Sequence, residues 1–123
     1  MDGGLLNMKR AAGICETAGL PVLKHSVGEL GVAMYAALHV IASTPNFLFA
    51  NQAYASFLTD DIIEGTGKLE YRGGCLGIPQ GPGIGVTLDV DKMGRYSEHY
   101  RNKASFFSRR AMTSKMTPVV PKL

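Results

Sequence analysis

Three polar residues in a row, Lys24, His25 and Ser26, stand where an apolar run stops and a second helical pattern is about to begin. Strand, polar residues at its C-terminal end, then helix is the arrangement by which α/β proteins build active sites. His25 is therefore the best candidate for a chemical centre. Other candidates are weaker. Asp60 and Asp61 suggest a metal site, but successive helical residues point in different directions. They read instead as acids opening a short helical turn through Ile63, where they suit the N-terminal dipole. Gly81, Gly83 and Gly85 resemble a phosphate loop, yet no Gly-Lys-Ser/Thr and no helix follows directly, so tight extended backbone is expected. Cys15 and Cys75 have no Cys-x-x-Cys or His-paired spacing and read as two free, largely buried thiols. His39 interrupts an apolar helix and reads as a hydrogen-bonded packing residue.

The elements that must position these residues follow from periodicity. From residue 5 to 18, Met8, Ala11, Ala12 and Cys15 recur at helical spacing, and Gly19 suits the C-terminal cap. Residues 20–25 form a short apolar strand in which Pro21 is tolerable only near the start. Residues 28–43 are apolar almost all round, a helix covered on more than one side. Thr44-Pro45-Asn46 is a stop signal. A second strand, 47–51, ends on Asn51-Gln52. Strand, helix and strand over residues 20–51 have the length of a parallel βαβ unit. Short strands at 69–71 and 75–78 flank the Gly73-Gly74 turn, and Asp91 can cap a final helix through Tyr100.

Composition narrows the class. A chain of 123 residues with 46% hydrophobic and 19% charged residues is one globular domain or a piece of one. The longest apolar run, 30–42, is too short to span a bilayer. With no signal-peptide pattern at the N-terminus, a cytoplasmic location and no membrane partner are expected. The net charge of +3 hides an asymmetry: residues 1–100 carry seven Lys/Arg against ten Asp/Glu, while residues 101–123 carry six Lys/Arg and no acid. That basic tail reads as a solvated, flexible extension, and nucleic acid is not the expected partner.

Taken together, Gly3-Gly4-Leu5, Ala18-Gly19-Leu20-Pro21, Lys24-His25-Ser26, Glu29-Leu30-Gly31, Leu38-His39, Asp60-Asp61-Ile62 and the 81–86 stretch with Leu88-Asp89 form an ordered set. In order and spacing it resembles the C-terminal third of enolase-superfamily enzymes of the mandelate racemase/muconate lactonizing type. The resemblance implies an α/β fold, a C-terminal fragment of a modified TIM barrel comprising its last βα units and a return segment toward a capping domain. It divides the chain into barrel units at 1–66, the return segment at 67–100 and the tail at 101–123. The family uses Mg²⁺ to stabilise an enediolate after a base removes the proton α to a carboxylate.

By that resemblance His25 is the catalytic acid/base at the end of the seventh strand, and Asn51, near a family Glu on the eighth, binds a substrate oxygen. The metal carboxylates and second-strand lysine of the family have no counterpart in these 123 residues. Asp2, adjacent to the Gly-Gly pair, is not the expected partner of His25. No Mg²⁺ site is therefore expected for this chain alone. The expected function is that of the C-terminal portion of an acid-sugar dehydratase, racemase or cycloisomerase, acting on a small carboxylate or sugar acid and inactive in isolation. A homo-oligomer or a missing barrel half would be its partner. The competing reading is a non-enzymatic remnant or interaction module using exposed strand edges and the basic tail.

Overall fold

The computed structural model describes residues 3–26, 28–65 and 71–103. Helix α1 spans Leu5–Thr17. Its end is set by Gly19, which sits at φ 69°. The Gly19 N–H donates to Glu16 O at 3.0 Å and the Leu20 N–H to Cys15 O at 2.8 Å. These are the two bonds of a Schellman closure, which satisfies carbonyls the helix leaves open. The chain then turns directly into the extended segment 20–26.

Helix α2 spans Gly31–Ala42, three residues shorter at its start than periodicity predicts. Leu30 is extended and no side chain of its own segment caps it. The helix buries a single stripe, Gly31, Met34, Ala37 and Val40, with Met34 the largest fully buried apolar side chain. Met34 and Ala55 form the centre of a small core, against which Tyr35, Ala53 and Leu76 pack.

The expected strands at 20–25 and 47–51 are extended but not regular strands. The Val22 N–H donates to Asn46 O at 2.9 Å, and the Gln52 N–H to Lys24 O at 3.0 Å. Moving up one segment thus moves up the other, the sense of a parallel pair. These bonds lie two residues apart on one segment and six apart on the other, so the register slips. Lys24 N–H goes to the Asn51 side chain (Oδ1, 2.7 Å) rather than to a main-chain carbonyl. A side chain thereby replaces one rung of the ladder.

Four further expectations are corrected. Asp60–Asp61 opens no helix: Ile63 forms an antiparallel bridge with Leu88, and the Asp89 N–H donates to Ile62 O at 2.8 Å. The last helix, α3, spans Val90–Lys103 and runs past Tyr100. Its first turn is capped by Asp89, whose Oδ1 accepts the Lys92 N–H at 2.8 Å, and not by Asp91. Cys75 is exposed, because it lies in a two-residue strand of a surface hairpin; Cys15 is half-buried, and both thiols are free. The hairpin pairs β1 (Tyr71–Arg72) with β2 (Cys75–Leu76) antiparallel across Gly73-Gly74. Leu69 and the tail beyond Lys103 lie outside the described residues.

Asp61 does cap a helix, but a distant one. Its carboxylate is 2% exposed, and Oδ2 accepts the Gly31 N–H at 2.7 Å at the first residue of α2. A Cβ at Gly31 would lie 2.9 Å from that oxygen and 2.7 Å from Ile63 Cδ1. Gly31→Ala is therefore expected to destabilise the chain by about 1–2 kcal/mol, even though Ala gains about 1 kcal/mol in helix propensity. The Ile63 methyl can swing away, but the Asp61 oxygen cannot without giving up its bond. A urea titration that finds the variant as stable as the parent would show that the contact relaxes freely.

Candidate active site

The C-terminal ends of the two extended segments meet above the start of α2. Lys24, His25 and Ser26 end the first; Asn51, Gln52 and Tyr54 follow the second. Ser26 is fully buried and ties three strands of sequence together. Its hydroxyl donates to Glu29 Oε2 at 2.6 Å and accepts the Tyr54 N–H at 3.2 Å. The Ser26 N–H donates to Gln52 Oε1 at 3.3 Å. The other Glu29 oxygen pairs with Lys24 Nζ, which also reaches Gln52 O at 3.4 Å. Burial pushes the Lys24 ammonium below its usual pKa of 10.5, and Glu29 supplies the opposing charge. The backbone on either side of His25 is thus clamped by Lys24 and Ser26.

His25 itself is exposed, its ring edge-on to Tyr54 at 6.5 Å between centroids. Tyr54 in turn meets Phe57 edge-on at 5.5 Å. Asn51 lies at the same end of the paired segments. Its Oδ1 accepts the Lys24 N–H, and its Nδ2 donates to Phe49 O at 3.1 Å. An amide nitrogen carries two hydrogens, so one remains available for a ligand oxygen. His39 makes the packing bond its place in α2 implies, between Nε2 and Ile84 O at 3.2 Å. That contact ties the glycine-proline stretch to α2.

Sequence reading passed over the Lys24–Glu29–Ser26 group. A signal was present: Ser26 and Glu29 stand three apart, before an apolar run, at capping-box spacing. Gln52 and Asp61 carried no such signal, since their partners lie 26 and 30 residues away.

A separate polar cluster fastens α3. Asp60 accepts Lys92 Nζ at 2.9 Å and the Tyr96 hydroxyl at 2.5 Å. The Tyr96 bond first, then Lys92 and the Asp61 N–H, hold the Asp60 carboxyl well below the usual carboxylate range. Tyr96 and Lys92 are shifted upward by the same contacts. A depressed carboxylate stabilises the fold above its unfolded pKa, about 3.9, and that contribution fades as pH falls toward the folded value. Acidification from about pH 5 to 2 is thus expected to loosen α3 before α2, read by amide exchange at residues 92–96. Asp60→Asn should remove the pH step; a step of unchanged size would assign it to another group.

Paired parallel segments joined by a helix, with polar side chains gathered at their C-terminal ends, form a unit of the strand–helix–strand kind on which α/β proteins build sites. The family model described as enolase C-terminal domain-like matches residues 1–92, and the chain belongs to that family, the enolase superfamily. It is 33% identical over 91 residues to a Streptomyces coelicolor protein named probable glucarate dehydratase, covering 74% of this chain and 21% of that one. It is 31% identical to muconate cycloisomerase 1-1 of Acinetobacter lwoffii, covering 78% of this chain and 25% of the relative. Among solved structures, an enolase from Streptomyces coelicolor superposes with a TM-score of 0.77 at 39% identity, covering 86% of this chain and 27% of the other. A Pseudomonas fluorescens enolase with bound magnesium, potassium and tartrate gives 0.74 at 36% identity, covering 80% and 23%. The chain thus spans about a quarter of the length of the relatives it matches.

Magnesium binding in a similar enolase raises the question of whether this chain's acids fit a metal. They do not form a ligand set: among the described residues no three His, Cys, Asp or Glu side chains converge. Asp61 is engaged by the Gly31 and Ile62 N–H groups, Asp60 by Lys92 and Tyr96, and Glu29 by Lys24 and Ser26. Mg²⁺ demands near-octahedral oxygen ligation and gives up its waters reluctantly, so already-bonded, scattered carboxylates are poor ligands. Among the described residues no helix is long and apolar enough to cross a membrane.

Proposed function

We propose that this chain forms the closing βα units of an enzyme that removes the proton α to a carboxylate in a sugar acid or related small acid. In this reading residues 1–66 are the barrel units, 67–100 the return segment toward a capping domain, and 101–123 a basic tail. His25 is the acid/base: an imidazole nitrogen takes the α-proton or returns one. Asn51, with its second amide hydrogen, meets a substrate oxygen from the neighbouring segment. The observation that supports this most is the placement of His25, exposed at a segment end whose backbone is clamped on both sides. The reaction places negative charge on the carboxylate oxygens. The groups that bear it come from outside the described residues, because Lys24 is already paired with Glu29. The chain alone is therefore inactive.

The test is α-proton exchange in D₂O, followed by NMR with glucarate and tartrate in the presence of Mg²⁺. The chain is assayed alone and mixed with the N-terminal portion of the Streptomyces coelicolor enolase, ended where its match to this chain begins. Exchange by the mixture and not by either part supports the reading. Exchange by the isolated chain, or none by a mixture that has assembled, overturns it.

A further inference from the structure

Residues 24–26 and Gln52 come close to a regular parallel pairing and depart from it at one rung. In a parallel ladder one residue bonds, by its N–H and its C=O, to the two residues that flank its opposite number. Gln52 makes the first of these bonds: its N–H donates to Lys24 O at 3.0 Å. The second would run from the Ser26 N–H to Gln52 O. Instead the Ser26 N–H donates to the Gln52 side chain (Oε1, 3.3 Å), and Gln52 O accepts Lys24 Nζ at 3.4 Å. Gln52 thus holds the main chain on both sides of His25, once through its backbone and once through its side chain.

Those two bonds fall on the peptide planes that bracket His25. Lys24 O belongs to the plane before it, and the Ser26 N–H to the plane after it. Peptide planes are rigid, so the soft backbone freedom of a residue is the rotation of one plane against the other. Holding both planes from a single neighbour fixes where the Cα–Cβ bond of His25 emerges. The other polar groups act less directly. Asn51 Oδ1 binds the Lys24 N–H, one plane further back. Glu29 binds the Lys24 and Ser26 side chains, across rotatable bonds. Ser26 is 0% exposed, so bulk water does not replace the acceptor that Gln52 supplies. The aim of the His25 ring therefore depends on its backbone and on the edge of Tyr54.

We propose that Gln52 is the positioning residue of this site: its side-chain carbonyl completes the pairing that aims His25 at the substrate. A main-chain carbonyl could come from any residue type. A side-chain acceptor at this reach restricts position 52 to Gln or Glu. Asn is one methylene too short, and Met has the length without the oxygen.

This rests on the acid/base reading of His25, and one arm of its test is independent of catalysis. In the full free chain, Gln52→Met is expected to speed hydrogen exchange of the Ser26 amide about tenfold or more, with the Val22 and Gly31 amides unchanged. The nuclear Overhauser contact between the His25 and Tyr54 rings should weaken with it. In the assembled mixture the same variant should lower kcat for α-proton exchange about 10- to 100-fold, the cost of a displaced reacting group. KM should change less than about twofold, because ground-state binding is untouched. Gln52→Glu keeps an acceptor at the same reach and should restore kcat to within about threefold of the parent. A space-filling role would be met by Met as well as by Glu. Gln52→Asn carries the test if the Met variant misfolds. A Ser26 amide as slow in the variant as in the parent, a ring contact unchanged once that amide is released, or a rate loss carried wholly by KM would overturn the inference. If the free-chain changes appear while His25→Asn exchanges protons at the parent rate, Gln52 still positions His25 and the catalytic reading fails instead.

Discussion

Replacing His25 by Asn is expected to slow α-proton exchange by the assembled mixture about 10²- to 10⁴-fold, the contribution of a positioned acid or base. Asn fills similar space and can hydrogen-bond, but it takes no proton at neutral pH. The side chain makes no hydrogen bond among the described residues, and its one ring contact is the edge-on approach to Tyr54. Removing it should therefore leave folding and association unchanged, which separates loss of chemistry from loss of structure. Tyr54→Phe is the control, since it preserves the ring contact and should alter the rate by less than about threefold. If the His25 variant exchanges protons at the parent rate in an intact complex, the acid/base lies elsewhere.

The largest effect on stability is expected at Asp61. Asp61→Ala removes a buried carboxylate that holds the Gly31 N–H through Oδ2 and the Ile62 N–H through Oδ1, each at 2.7 Å. Loss of a helix cap costs about 1–2 kcal/mol. A buried N–H left without a partner adds about 1–3 kcal/mol unless water enters. The combined loss, about 2–5 kcal/mol, is large against the roughly 5–15 kcal/mol that holds a domain together. Asp61→Asn keeps an acceptor and should cost less than half as much. Gly31→Ala should be nearly neutral in the Asp61→Ala background, because the oxygen its methyl would strike is gone. Denaturant midpoints of the four proteins form a cycle. Additive losses would show that Asp61 and Gly31 stabilise the chain independently.

The same residues show how far a linear reading reaches. Helices α1 and α2 were legible because their apolar residues repeat within one turn of each other, and Gly19 and Leu20 close α1 through bonds to residues three and five back, respectively. The acids at 60 and 61 were legible as a capping pair but were assigned to their own turn. Capping preference is local chemistry, and only the packing of 61–63 against the start of α2 brings the carboxylate to Gly31. Asp60 likewise turned out to hold α3, through residues 32 and 36 positions onward.

At the candidate site the type and place of His25 followed from sequence, because a polar residue ending an apolar run is a one-dimensional pattern. Its supports did not, since Lys24, Ser26, Gln52, Asn51 and Glu29 become neighbours only when two segments align. The apolar character of residues 20–25 and 47–51 determined that both would be extended and would lie side by side. Whether they would form a regular ladder was a tertiary matter. One edge of 20–26 is met partly by the Asn46, Asn51 and Gln52 side chains, and the other is met by nothing described. A strand's residues set its preference for extension, but its hydrogen bonds belong to its neighbours. Here those neighbours decide which edge is filled and which remains open.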